Sequence, residues 1–369
     1  MWFFSGLLGS SEDFDGWAFA SSEHATLAVR PKLTVEWISE RRVPEDYPCI
    51  QAAIDDSVDG NVIVVADGVY TGAGCNTNLD FGGRAITVRS RNGARNCVID
   101  CEYTGRGFIF QTGEGSLSVV EGFTILHGVS ATDGAAIRCI SGSSPLIANC
   151  RIEENHSPLD GGAIGCQGSS PTIINCLIMN NSAADTGGGV YCAGGSNPLI
   201  LNCTIVWNQA GNLGGGIDSA SGSHPVVVNC IVWGNTPEAI VVRDAGTIDV
   251  RYSCVEGGWA GEGNIGLDPR VLPTNGRLLA NSPCIDAGDT TALPPDYYVD
   301  LARLGRRLDH PPTPDTGVPA GLCPPVTIDM GAYEFQPLPG DVNCDGVTDF
   351  DDINPFVRCL VNPGACWWW

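Results

Sequence analysis

A motif of the form Pro-x-x-x-Asn-Cys-x-Ile/Val begins at Pro145, Pro171, Pro198 and Pro225, in steps of 26, 27 and 27 residues. Units this short cannot bury an apolar face alone and must stack on copies of themselves. Other positions keep the same step. Ile152, Ile178, Ile205 and Val232 form one series, Ile137, Ile164, Val190 and Ile217 a second, and Asn155, Asn181, Asn208 and Asn235 a third. Small-residue runs at Gly134-Ala135-Ala136, Gly161-Gly162-Ala163, Gly187-Gly188-Gly189 and Gly214-Gly215-Gly216 mark tight bends.

Phase along one unit shows its shape. Strict alternation from an inward Ile147 would turn Cys150 and Ile152 outward, so something must reset the phase between them. Asn149 is the expected corner, because Asn tolerates the left-handed conformation better than other residues that carry a β-carbon. Short strands joined at Asn and Gly corners describe a coil of three parallel strands, with successive coils about 4.7–4.9 Å apart.

The repeat, with degenerate earlier rungs at Asn96-Cys97-Val98-Ile99 and Gly122-Phe123-Thr124-Ile125, resembles the right-handed parallel β-helix family that includes pectin-lyase-like proteins. The resemblance runs from about Pro48 to Pro269. It implies an all-β solenoid, a right-handed parallel β-helix of about eight coils. Ile50, Ala53 and Ile54 stand at helical spacing ahead of Asp59-Gly60, and in the family a short helix of this kind caps the open end of the coil. The expected organisation is an N-terminal lead-in and cap over 1–47, the parallel β-helix over 48–269, an irregular closing segment over 270–336 and a small tail over 337–369.

Acidic residues number 42 against 19 basic ones, a net charge of −23, so phosphate-rich nucleic acid is excluded as a natural partner. Seventeen cysteines are distributed unevenly. Cys97, Phe123, Cys150, Cys176, Cys203, Cys230 and Cys254 share one repeat position, and Cys139, Cys166, Cys192 and Ser219 share another. Because Phe and Ser enter these series, the cysteines read as small buried hydrophobes in the reduced state. Cys284, Cys323, Cys344, Cys359 and Cys366 lie outside the repeat and are the better disulfide candidates.

Beyond Pro269, the stretch Asn281-Ser282-Pro283-Cys284-Ile285-Asp286-Ala287-Gly288-Asp289, with Asp329-Met330-Gly331-Ala332-Tyr333-Glu334-Phe335, resembles the closing segment of bacterial β-helix repeat proteins. Asp286, Asp289 and Asp329 are read there as turn and capping residues. Further on, Asp341, Asn343, Asp345, Asp349 and Asp352 supply oxygens at positions 1, 3, 5, 9 and 12 of a loop, with Gly346 at 6 and the Val347 carbonyl at 7. This spacing suits a calcium ion, a hard cation that takes several oxygen ligands around a sharp glycine turn. Ile353, Phe356, Val357 and Leu360 follow at helical spacing. The stretch resembles one half of a type I dockerin, which implies calcium as cofactor and a cohesin-like partner. A dockerin carries two such loops, whereas this chain shows one.

No catalytic constellation stands out. Asp133 and Asp160 match in register, but Thr186 and Leu213 follow them, and Arg138, Arg243 and Arg251 are isolated in register. Trp207 and Trp233, on consecutive coils, are candidates for stacking on sugar rings. Together these features predict a scaffold or surface protein that engages a polysaccharide or cell-surface glycan without catalysis. The alternative is a polysaccharide lyase or glycoside hydrolase of the pectin-lyase-like fold. No stretch is long enough to span a bilayer. The expected location is extracellular or at the cell surface, although the apolar Met1 to Gly9 lacks a basic flank and does not read as a signal peptide.

Overall fold

The structure is a computed structural model and describes residues 40–294, 297, 299–306, 313–319 and 326–335. Three parallel sheets run its length, and every pairing between their strands is to the equivalent strand one coil away. The first sheet has nine strands, from Glu40–Val43 and Val62–Val65 through Leu146–Ala148 and Thr172–Ile174 to Asp249–Arg251. The second has eight, from Gly68–Tyr70 to Cys254–Val255, and the third seven, from Leu79–Asp80 to Ile240–Val242. The chain therefore completes seven coils and part of an eighth, close to the eight expected. Strand Glu40–Val43 extends the first sheet beyond the expected start of the solenoid at residue 48, pairing in register with Val62–Val65.

Asn149, Asn175, Asn202 and Asn229 turn the chain from the first sheet to the second with φ of 53°, 53°, 51° and 55°. The left-handed residue resets the side-chain phase, so Ile147, Cys150 and Ile152 all point into the same core. The second corner is braced from within. Asn155, Asn181, Asn208 and Asn235 are buried one above another, each Nδ2 donating to the next Oδ1 at 2.9, 2.9 and 3.0 Å. At the bend into the third sheet, a β-carbon on Gly188 would meet the backbone carbonyls of Gln209 and Gly215, so no larger residue fits.

The interior is one continuous apolar column. The cysteines of both series lie wholly buried in it with free thiols, as expected, except Cys254, which is one residue out of the expected register: it pairs with Ile231 and is buried on the outer side of the second sheet beneath the closing segment, while Ser253 takes the position after Cys230. Burial pushes the Cys139, Cys176 and Cys230 thiols well above their ordinary range, which keeps them protonated and inert. Cys284 is also a buried free thiol, contrary to its expected place in a disulfide. The bridge among the described residues is Cys49–Cys75, with Cα atoms 5.5 Å apart. It ties the segment entering helix Ile50–Asp55 to the first coil, and Ile50, Ala53 and Ile54 of that helix close the N-terminal end of the core. At the other end Trp259 packs against the same core.

After the solenoid the chain folds back over it. Val271, Leu278, Cys284, Met330, Ala332 and Tyr333 cover the outer face of the second sheet, where Leu177, Met179, Val206 and Ile231 are apolar and buried. Polar contacts fix this closing segment along the solenoid: Asn229 Nδ2 donates to the Asp289 carbonyl at 2.9 Å, Asn175 Nδ2 to that of Val299 at 3.1 Å, and Arg303 Nη1 to that of Arg91 at 3.2 Å. Asp289 caps the short 3-10 helix Thr290–Ala292, and Asp329 accepts the Asp286 backbone N–H at 2.8 Å, so both act as turn residues.

Candidate functional site

With the outer face of the second sheet covered, the outer face of the third carries the most concentrated polar chemistry. Its outward column in register is Arg138, Gly165, Tyr191, Asp218 and Val241, one residue per coil. Inward neighbours such as Ile137, Cys166, Val190 and Ile217 anchor these strands in the core, so the outward side chains stand on a rigid floor.

The bends that precede each strand bring further groups over this column. Arg138 donates from Nε and Nη2 to Asp133 Oδ1 at 3.1 and 3.0 Å. The Asp133–Gly134 turn crosses so close to Gly165 that a β-carbon there would sit 2.9 Å from Asp133 Oδ2. Arg106 holds that turn from beneath, donating to the carbonyls of Asp133 and Gly134 at 2.9 and 3.0 Å and to the Ser130 and Thr132 hydroxyls. Burial lowers its pKa to about 10.

On the following coils a chain of hydrogen bonds links four residues. Asp160 Oδ1 accepts from the Thr186 hydroxyl at 2.9 Å, Thr186 Oγ1 accepts from Arg243 Nη2 at 3.3 Å, and Arg243 donates from Nε and Nη2 to Asp218 Oδ2 at 3.2 and 2.9 Å. Its Nη1 reaches Asp244 at 2.7 Å. The hydrogen bond to Asp218 raises the Arg243 pKa, so this guanidinium is a permanent charge. Burial raises the carboxyl of Asp160 above its ordinary value. Tyr191 lies half-buried between these groups, its phenol pKa raised first by burial and then by the charge of Asp160.

Sequence spacing concealed this cluster. The step from Ile217 to its partner Ile240 is 23 residues, four fewer than the preceding step, so counting by 27 leaves Arg243 without partners. The unusual Tyr191 and Asp218, in a register column where neighbouring coils place Arg and Gly, were the available signal.

Neither Trp207 nor Trp233 belongs to this face: Trp207 sits at the corner that follows the second sheet, and Trp233 ends the second-sheet strand Ile231–Trp233, in register with Val206. Both are half-buried against the apolar layer beneath the closing segment. Trp207 takes the left-handed corner position itself, with φ of 54°, and its ring lies against Gly234. The calcium-loop residues Asp341, Asn343, Asp345, Val347, Asp349 and Asp352 lie outside the described residues, as does the whole 337–369 tail. Among the described residues no cluster of three His, Cys, Asp or Glu side chains could hold a metal ion, and no helix is long and apolar enough to cross a membrane.

The family model for the right handed beta helix region matches residues 54–205 and 129–263, overlapping spans that take in more than half of the chain. The chain belongs to that family. No curated protein sequence matches it. Among solved structures it is similar to pectate lyase Pel9A, with 14% identity, a TM-score of 0.43 and coverage of 77% of this chain and 90% of that one. It is also similar to pectin methylesterase from carrot, with 14% identity, a TM-score of 0.32 and coverage of 67% and 87%.

Proposed function

We propose that the protein is an extracytoplasmic β-helix scaffold that engages carbohydrate along the outer face of its third sheet without cleaving it. The observation that carries this reading is the half-buried Tyr191 on a rigid sheet, with Asp218 and its partner Arg243 beside it in register on one side and, on the other, the Asp133–Arg138 pair reaching over Gly165. An aromatic ring offers the apolar face on which the C–H groups of a sugar pack, and carboxylates accept its hydroxyls in charge-assisted hydrogen bonds. Catalysis is disfavoured because these groups are engaged with one another. Arg138 and Arg243 are both in ion pairs, leaving neither as a free base for elimination, and Thr186 holds Asp160.

Glycoside hydrolysis is the second reading, favoured by the two carboxylates Asp160 and Asp218 at the ends of the Thr186–Arg243 chain, the first raised by burial, since hydrolases work with a pair of carboxyl groups. One experiment separates the two. The protein is incubated with a panel of polysaccharides, and both co-sedimentation and new reducing ends are measured. Binding without product, reduced at least 10-fold in Tyr191→Ala with unchanged circular dichroism, is expected. Product above a heat-inactivated control would establish hydrolysis, and absence of binding to every polysaccharide would remove the carbohydrate reading.

A further inference from the structure

We infer that the glycan taken on the third sheet is uncharged and rich in hydroxyl donors, not a polyuronate or a sulfated chain. The inference rests on the carbohydrate reading above and adds the substrate class.

Cation supply on this face decides the matter. Recognition of a carboxylate or sulfate needs a guanidinium or ammonium free to turn toward it. Arg138 is committed to Asp133, and Arg243 is committed to Asp218 and Asp244 together. Arg106 lies buried, donating to two backbone carbonyls and two hydroxyls of the 130–134 turn. An anionic ligand would therefore have to displace an internal carboxylate from its arginine. Asp160 and Asp185 add acidic groups beside this face, and a chain with a net charge of −23 repels polyanions at longer range.

Acceptors, by contrast, are left over. Asp133 is 8% exposed and Asp218 wholly buried, and Asp133 Oδ2 and Asp218 Oδ1 have no hydrogen-bond partner among the described residues. A buried carboxylate oxygen without a donor is costly, so both gain from a group that brings O–H bonds to it. The two stand on either side of Tyr191. Asp133 lies over Gly165, one strand before it in the column, and Asp218 is one strand after it. That places them roughly 9–10 Å apart along the solenoid, two strand spacings, with an aromatic ring between. Acceptor, ring and acceptor complement a sugar that donates hydroxyls at its edges and packs its face at the centre.

The test is calorimetric titration of the full chain with hexasaccharides of matched length. Neutral probes are the gluco-, xylo-, manno- and galacto-configured hexamers, the charged probe is hexagalacturonate, and each is run at 20 and 500 mM NaCl. The expected result is at least one neutral hexamer bound 10-fold or more tightly than hexagalacturonate, with less than a twofold change across the salt range. Asp218→Asn, which keeps the size of the side chain, should weaken neutral binding at least fivefold. Tyr191→Phe, which keeps the ring, should weaken it less than twofold. Hexagalacturonate bound as tightly as every neutral hexamer, weakening as salt rises, would overturn the inference while leaving the carbohydrate reading in place. Neutral binding unchanged in both Asp218→Asn and Tyr191→Ala would overturn it as well. Binding of no hexamer at all would remove the carbohydrate reading and this inference with it.

Discussion

The side chain and backbone N–H of Asn181 take part in six hydrogen bonds inside the solenoid. Its backbone N–H and Nδ2 both donate to Asn208 Oδ1, Nδ2 also donates to the carbonyls of Ile152 and Met179, and its own Oδ1 accepts from the backbone and side chain of Asn155. Asn181→Ala strands donors and acceptors that water cannot reach, each at a cost of about 1–3 kcal/mol. The expected loss is roughly 3–5 kcal/mol in urea unfolding, with the slope of the transition unchanged. The corner asparagines make a different demand. At Asn202, with φ of 51°, Ala should cost about 1–2 kcal/mol for the left-handed backbone, and Gly should cost less than Ala. If Asn202→Gly proves more damaging than Asn202→Ala, the side chain rather than the backbone angle selects Asn there. Both roles are written in the repeat, because a residue that recurs at one phase of every coil must meet one environment. The pairing of Arg243 with Asp218 is not written there, because it depends on a shortened seventh coil.

The closing segment is the element whose placement has the largest consequence, since its described residues cover the second sheet and not the third. Its interior is acidic. Burial pushes the Asp329 carboxyl up to about 7 and that of Glu334 well above its ordinary value despite the ion pair to Arg306 at 2.8 Å, and Asp300 is raised by the same cause. A carboxyl whose folded pKa exceeds its unfolded value of about 4 contributes stability that is complete below that value and lost as pH rises through the folded pKa. Docking of the segment should therefore weaken between about pH 4 and pH 7, by on the order of a few kcal/mol. Limited proteolysis within 270–335 should be faster at pH 8 than at pH 5, and Asp329→Asn should flatten the difference. Equal rates at the two pH values in the unaltered protein would contradict this account. The outward Leu177, Met179, Val206 and Ile231 were visible in sequence as apolar residues out of phase with the core, but which segment covers them was not.

Across the whole molecule the architecture is modular along one axis. Removing Pro171 to Asn197 deletes one complete 27-residue step and lets each ladder close on an identical position two rungs away. Such a protein should retain its β circular dichroism, while removal of 13 residues from the same coil should abolish it. The shortened solenoid should also hold the closing segment less firmly, because contacts such as Arg151 with Tyr333 and Thr204 with Ala332 would move out of step. For the calcium loop proposed at Asp341 to Asp352, Asp345→Asn should weaken calcium binding at least 10-fold in calorimetry while leaving solenoid unfolding unchanged.

Sequence alone determined the coil, because a 26- or 27-residue period, an asparagine at a fixed phase and alternating apolar residues admit one way of stacking strands. It determined the buried thiol columns as far as Cys230 for the same reason, while the capping of the N-terminal end by Ile50, Ala53 and Ile54 was implied by the family resemblance. Only the tertiary structure decided which outer face the closing segment covers, which residues converge on the third sheet and that Cys49 bridges Cys75. A repeat specifies the contacts that every coil makes with the next. The closing segment, the shortened coil at Arg243 and the turn over Gly165 each occur once, and a contact made once between residues distant in sequence leaves no period to read.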